Sequence, residues 1–152
     1  MRTYILFATL LLLSALIFIG CNSAKSSDSP VVQAGKSKTG PETTYADGAR
    51  RVTTSELQAL MKNKEAFVVD VRNQASYDAG RIPGAKLIPS SEILNHLDEL
   101  PKNKLIVTYC SWPNEHTSAG AVVALKTKNI TNAAALLGGF VEWQKEGLPV
   151  EK

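Results

Sequence analysis

The 152-residue chain has two cysteines, two histidines and only 7% aromatic residues. Two cysteines cannot build a multi-bridge disulfide scaffold. Two separated histidines and a single cysteine in the body of the chain make no recognisable metal-ligand set, and no cofactor is expected. Charge of one sign is also scarce. Four of the 17 basic and two of the 14 acidic side chains fall in residues 1–45, so the rest is near neutral within a net charge of +3. Without a clustered Lys/Arg footprint, a nucleic-acid partner is excluded. The length suits one domain with a modest core, and no internal repeat is present.

The one long hydrophobic run stands at the N-terminus. After Met1-Arg2, residues Thr3 to Ala24 carry no charge, and Tyr4 to Ile19 are almost wholly apolar. As a helix that stretch spans about 24 Å, short of the ~30 Å hydrocarbon core of a bilayer. A positive start, a short apolar run and small residues at its end read as an export signal over residues 1–20. Phe18-Ile19-Gly20-Cys21 resembles a bacterial lipobox, with Phe18 where Leu is usual. Cys21 is then the lipidated new N-terminus and the membrane contact. The alternative is a plain transmembrane anchor. Both place the rest of the chain in the cell envelope, on the periplasmic or outer-surface side, and Asn22 resembles the residue of lipoproteins sent to the outer membrane. Residues 21–50 are rich in Ser, Lys, Gly and Pro and read as a lipidated, flexible tether. Residues 51–152 form the domain.

Within that domain, Thr53-Thr54-Ser55-Glu56 has capping-box spacing, with Leu57, Leu60 and Met61 at helical intervals. Ala66–Val71, Leu105–Tyr109 and Ala133–Leu137 are short apolar runs of the kind buried on both faces in parallel sheets. Leu87-Ile88 forms a brief strand before Pro89. Ser90 or Ser91 caps a helix carrying Ile93, Leu94 and Leu97, with His96 on its surface. Further helices follow over Ala119–Lys128 and Phe140–Glu146. Alternation of this kind specifies an α/β fold with a mainly parallel central sheet flanked by helices.

In such sheets, ligands bind beyond the carboxyl ends of the strands. Cys110 stands at that end of the 105–109 strand, ahead of a helix. Backbone N–H groups of a loop and a helix N-terminus both favour a thiolate, which is otherwise a minor species for an ordinary thiol of pKa ~8.5. Strand position by itself fits a buried, inert cysteine equally well.

Three ordered motifs surround Cys110. Phe67-Val68-Val69-Asp70-Val71-Arg72 precedes Tyr77-Asp78-Ala79-Gly80-Arg81-Ile82-Pro83-Gly84-Ala85. Tyr109-Cys110 follows, and then Leu136-Leu137-Gly138-Gly139-Phe140 with Trp143 and Gly147-Leu148-Pro149-Val150. The set resembles the rhodanese-like domain family across residues 51–150. The resemblance implies a rhodanese-like three-layer fold and a catalytic Cys110 that carries sulfane sulfur as a persulfide. It further implies a small sulfur-containing anion such as thiosulfate as donor and a thiol or cyanide as acceptor. Asp70 and Arg72 then support the loops at the strand end.

The loop Cys110-Ser111-Trp112-Pro113-Asn114-Glu115-His116-Thr117 departs from the family pattern. Pro113 stands where a Gly is common, removing an N–H, and Glu115 adds a carboxylate where a basic residue is common. Ser111, Trp112, Asn114, Glu115, His116 and Thr117 are the candidate substrate-binding residues. Asn114 capping the next helix gives a short loop; Thr117 or Ser118 capping it gives a longer one, nearer to related phosphatases. His116 occupies the position of the phosphatase arginine, and imidazole cannot replace a bidentate guanidinium clamp. Trp112 either walls the pocket or packs against the domain. The competing function is a catalytically weak binding module that holds an envelope protein partner through the Trp112 loop.

Overall fold

A computed structural model describes residues 44–152. The signal segment 1–20, Cys21 and the tether as far as residue 43 lie outside the described residues. Five parallel strands form one sheet in the order β1-β5-β4-β2-β3, where β1 is Arg51–Val52, β2 Ala66–Asp70, β3 Lys86–Leu87, β4 Leu105–Tyr109 and β5 Ala133–Leu136. Helices α1 (Thr54–Lys62), α2 (Gln74–Ala79), α3 (His116–Lys126) and α4 (Gly139–Lys145) connect or follow them. The central strand β4 pairs along its length with β2, Asp70 beside Tyr109, so both carboxyl ends open at one place.

Strand alternation sorts the core onto two faces. Val69, Ile106, Ala133 and Ala135 pack with Ala119, Val122 and Leu125 of α3. Val68, Val107, Tyr109, Ala134 and Leu136 pack with Leu57 of α1 and with Phe140 and Trp143 of α4. Fully burying one such large side chain contributes ~1.5–3 kcal/mol. The capping box at Thr53 forms as the sequence requires, the hydroxyl accepting from the Glu56 N–H at 3.2 Å and the Glu56 carboxylate from the Thr53 N–H at 2.8 Å.

Two segments differ from the sequence expectation. The helix expected after Ser90 or Ser91 is a pair of 3₁₀ turns, Ile93–Asn95 and Leu97–Glu99, with no side chain capping either start. Pro101 holds Leu100 extended, which stops a continuous helix at that end. His96 lies between the two turns, with Nδ1 2.5 Å from Glu99 Oε1. Packed structure is also present before residue 51. Composition places residues 44–50 in the tether, yet Thr44 bridges Arg50 and Ala49 is fully buried in the α3-side core. Tyr45, Ala46 and Ala49, isolated apolar residues after a polar stretch, carry too little signal to reveal that contact.

Candidate active site

Alternation along β4 decides where the sulfur points. Ile106, Thr108 and Cys110 face α3, whereas Val107 and Tyr109 face α1 and α4. Cys110 is therefore directed partly into the core and is 4% exposed. Its Sγ lies 3.6 Å from the Ser118 hydroxyl and 4.0 Å from the Trp112 carbonyl oxygen. Two loop positions cannot offer an N–H to the sulfur: Pro113 has none, and the Glu115 N–H closes a turn onto the Trp112 carbonyl at 3.1 Å.

The loop is short. Helix α3 starts at His116, with Glu115 preceding it in the left-handed region at φ 49°. Thr117 and Ser118 lie inside the helix, which overturns the longer loop, and Asn114 is not its cap. A non-glycine residue in that conformation costs of order 1 kcal/mol or more, and buried contacts hold it there. Glu115 Oε2 accepts from Arg51 Nε at 2.9 Å, and Glu115 Oε1 accepts from the Gly138 N–H at 2.7 Å. Arg51 is held in turn by Asp47 at 2.6 Å and by the Ala49 carbonyl at 3.1 Å. Hydrogen bonding from Arg51, followed by the Ala49 N–H, holds the Asp47 carboxyl below its ordinary range.

Glu115 is thus a buried clamp joining the loop to β1 and α4, with its charge matched by Arg51. Its assignment to substrate binding is corrected accordingly, because both carboxylate oxygens are engaged internally. Gly139 completes the join. A Cβ there would lie 2.6 Å from the Cys110 carbonyl oxygen, a distance only glycine permits. The Phe140 N–H reaches that same carbonyl at 2.8 Å.

On the other side of Cys110, Asp70 is fully buried and accepts from Arg72 Nε, Arg72 Nη2, the Arg72 N–H and the Tyr109 hydroxyl at 2.5–3.0 Å. Burial, then the Asp70 carboxylate, raise the Tyr109 phenol far above its ordinary range, so it stays a donor. Arg72 also donates to the Gly80 carbonyl at 2.7 Å and lies 4.4 Å over the Phe140 ring. Asp70 and Arg72 tie the end of β2 to the residues that follow it and to the Gly80 carbonyl.

The remaining candidates lie on the loop and the first turn of α3. Trp112 is 71% exposed, so it does not pack against the domain. Ser111 is half-buried, while Asn114, His116 and Thr117 are exposed. Sequence reasoning missed Arg51 and the part Ser118 plays at the sulfur. Ser118 had a signal, a polar residue on the apolar stripe of α3 with Val122 and Leu125. Arg51 had none, lying 64 positions from its partner.

Residues 53–146 match the model of the rhodanese-like domain. An HTH-type transcriptional regulator of Mycobacterium tuberculosis is 36% identical over 106 residues, which is 66% of this chain and 44% of that protein. The chain thus spans less than half the length of that relative. A protein named sulfurtransferase from Allochromatium vinosum is 30% identical over 93 residues, covering 61% of this chain and 85% of its own. A human single-domain sulfurtransferase has a solved structure that superposes with a TM-score of 0.57 at 28% identity, covering 65% of this chain and 98% of that one. With the parallel sheet, the Cys110 loop and this match over most of the body, the chain belongs to the rhodanese-like domain family.

Proposed function

We propose that the chain is a sulfurtransferase that moves sulfane sulfur through a persulfide on Cys110, from thiosulfate or a related donor to a thiol or cyanide. The observation that carries this reading is Cys110 itself. It heads a short loop at the carboxyl end of the central strand, and β1, α3 and α4 each fix that loop. In the first step the Cys110 thiolate, its proton released to water, attacks the outer sulfur of thiosulfate. The Sγ–S bond forms, the S–S bond of the donor breaks, and sulfite leaves with the bonding electrons. In the second step the acceptor attacks the outer sulfur of the persulfide, and Cys110 leaves as a thiolate.

Thiocyanate formation from thiosulfate and cyanide tests the reading. Wild type should turn over and Cys110→Ser should not, at matched thermal stability. Equal turnover in the variant overturns it. A reading in which the domain works in the cell envelope, tethered through lipid on Cys21, rests on the apolar run and on Gly20-Cys21. Metabolic labelling with a fatty acid should mark the full chain but not Cys21→Ala, and unlabelled wild type overturns the tether.

The near-complete burial of Cys110, together with the exposed Trp112 beside it, favours a second reading, a binding module for an envelope protein. Its signature is capture of one partner that Trp112→Ala loses and Cys110→Ser retains.

A further inference from the structure

A charged sulfur in a largely apolar pocket needs hydrogen-bond donors, and the loop positions Pro113 and Glu115 have no N–H to spare for it. Ser118 is the side chain whose hydroxyl reaches Sγ, at 3.6 Å, and it is itself fully buried.

That hydroxyl has one proton and two acceptors within reach. The second acceptor is the Glu115 carbonyl oxygen, 3.1 Å away. This carbonyl also accepts from the Ala119 N–H at 2.8 Å, so it stays satisfied if the hydroxyl turns elsewhere. The Ser118 backbone is held in place because its own carbonyl accepts from Thr108 on β4 at 3.0 Å. A rotation of the hydroxyl alone therefore moves the proton between Glu115 and the sulfur, with no change in the fold. A neutral thiol is a weak acceptor and leaves the proton on the carbonyl; an anionic sulfur attracts it, because hydrogen bonds to charged groups are roughly twice as strong.

We propose that Ser118 is a catalytic residue whose hydroxyl donates to Cys110 Sγ when that sulfur is anionic and to the Glu115 carbonyl when it is not. Resting on the sulfur-transfer reading, this role appears at two points. Ser118 stabilises the attacking thiolate before the first step. In the second step it stabilises the charge that develops on Sγ as the persulfide bond breaks, an interaction that strengthens towards the transition state. The other ionisable groups around the loop are engaged elsewhere: Glu115 with Arg51, and Asp70 with Arg72 and Tyr109. His116, on the first turn of α3, is exposed.

Ser118→Ala tests the assignment in the full chain. It removes the hydroxyl while leaving the Glu115 carbonyl its bond from Ala119. Alkylation of Cys110 by iodoacetamide, followed on the Cys110 peptide so that Cys21 does not interfere, should slow about tenfold or more at neutral pH. Its pH profile should move to higher pH with the same plateau, while the thermal midpoint stays close to that of wild type. An unchanged profile overturns the proposal, and so does a lowered plateau at unchanged pH dependence, which would mark a packing effect. If the variant fails to fold, the same profile is read on Ser118→Gly, which also removes the hydroxyl and adds no thiol, with the same displacement expected; none overturns the proposal. Alkylation needs no sulfur donor. A displaced profile in a protein that never accepts sulfur therefore defeats the sulfur-transfer reading while leaving the Ser118–Cys110 bond in place.

Discussion

Two buried ion pairs flank Cys110, and they do different work. Asp70–Arg72 is local, its partners two positions apart at the end of β2, and it fastens the strand to its own following loop. Glu115–Arg51 spans 64 positions and fastens the cysteine loop to an edge strand and to α4. Phe140 touches both sides: its N–H holds the Cys110 carbonyl, while its ring lies under Arg72 and 5.8 Å from Tyr109. The contrast teaches that one pair secures the scaffold and the other sets the loop.

Removing Asp70 should have the largest effect on stability. Asp70→Ala leaves Arg72 buried without its carboxylate and the Tyr109 hydroxyl without its acceptor, a loss of ~3–5 kcal/mol in denaturant unfolding. An effect below about 1 kcal/mol would break the assignment of this pair to the scaffold.

Glu115→Ala should cost less, about 2–3 kcal/mol, because Arg51 keeps Asp47 and the Ala49 carbonyl. Its effect on Cys110 alkylation should nevertheless exceed that of Asp70→Asn. Glu115→Gln, which still accepts from Gly138, should recover part of the stability. A double-mutant cycle between Arg51→Ala and Glu115→Ala sharpens the comparison further, with an expected coupling of about 0.5–3 kcal/mol. Additive losses would mean that the two side chains do not act as a pair.

Asp47 gives a smaller, pH-dependent effect. Its carboxyl titrates below the ordinary range in the folded chain. Its stabilising contribution is therefore complete above the unfolded value of ~3.9 and is lost as pH falls through the depressed folded value. Asp47→Asn should flatten that acid limb in urea unfolding followed from pH 6 to pH 2. An unchanged limb would show that Arg51 does not depend on it.

Trp112→Ala should have the smallest effect on stability, within ~0.5 kcal/mol, since the ring is largely in solvent. Intact thiocyanate formation in this variant fits the enzymatic reading; loss of a bound envelope protein in a chain that forms no thiocyanate favours the binding one.

How much of this was legible follows from where each signal resides. The three long strands, α1 with its capping box, and Cys110 at a strand end were readable because each depends on a few adjacent residues. Asp70–Arg72 was readable for the same reason. Arg51–Glu115 depends on β1 lying beside β5, and no local pattern encodes that. The loop's donors were half legible, since Pro113 announces one missing N–H, but the turn that uses the Glu115 N–H is settled by the fold. The 3₁₀ turns at 93–99 show a helical apolar pattern overruled by a following proline and missing caps.

Mass analysis of the Cys110 peptide after incubation with thiosulfate tests the central claim most directly. One added sulfur atom is expected on Cys110, removed again by cyanide, with one sulfite released for each sulfur gained. A Cys110 that alkylates readily yet gains no sulfur from thiosulfate or from a persulfide donor would contradict it.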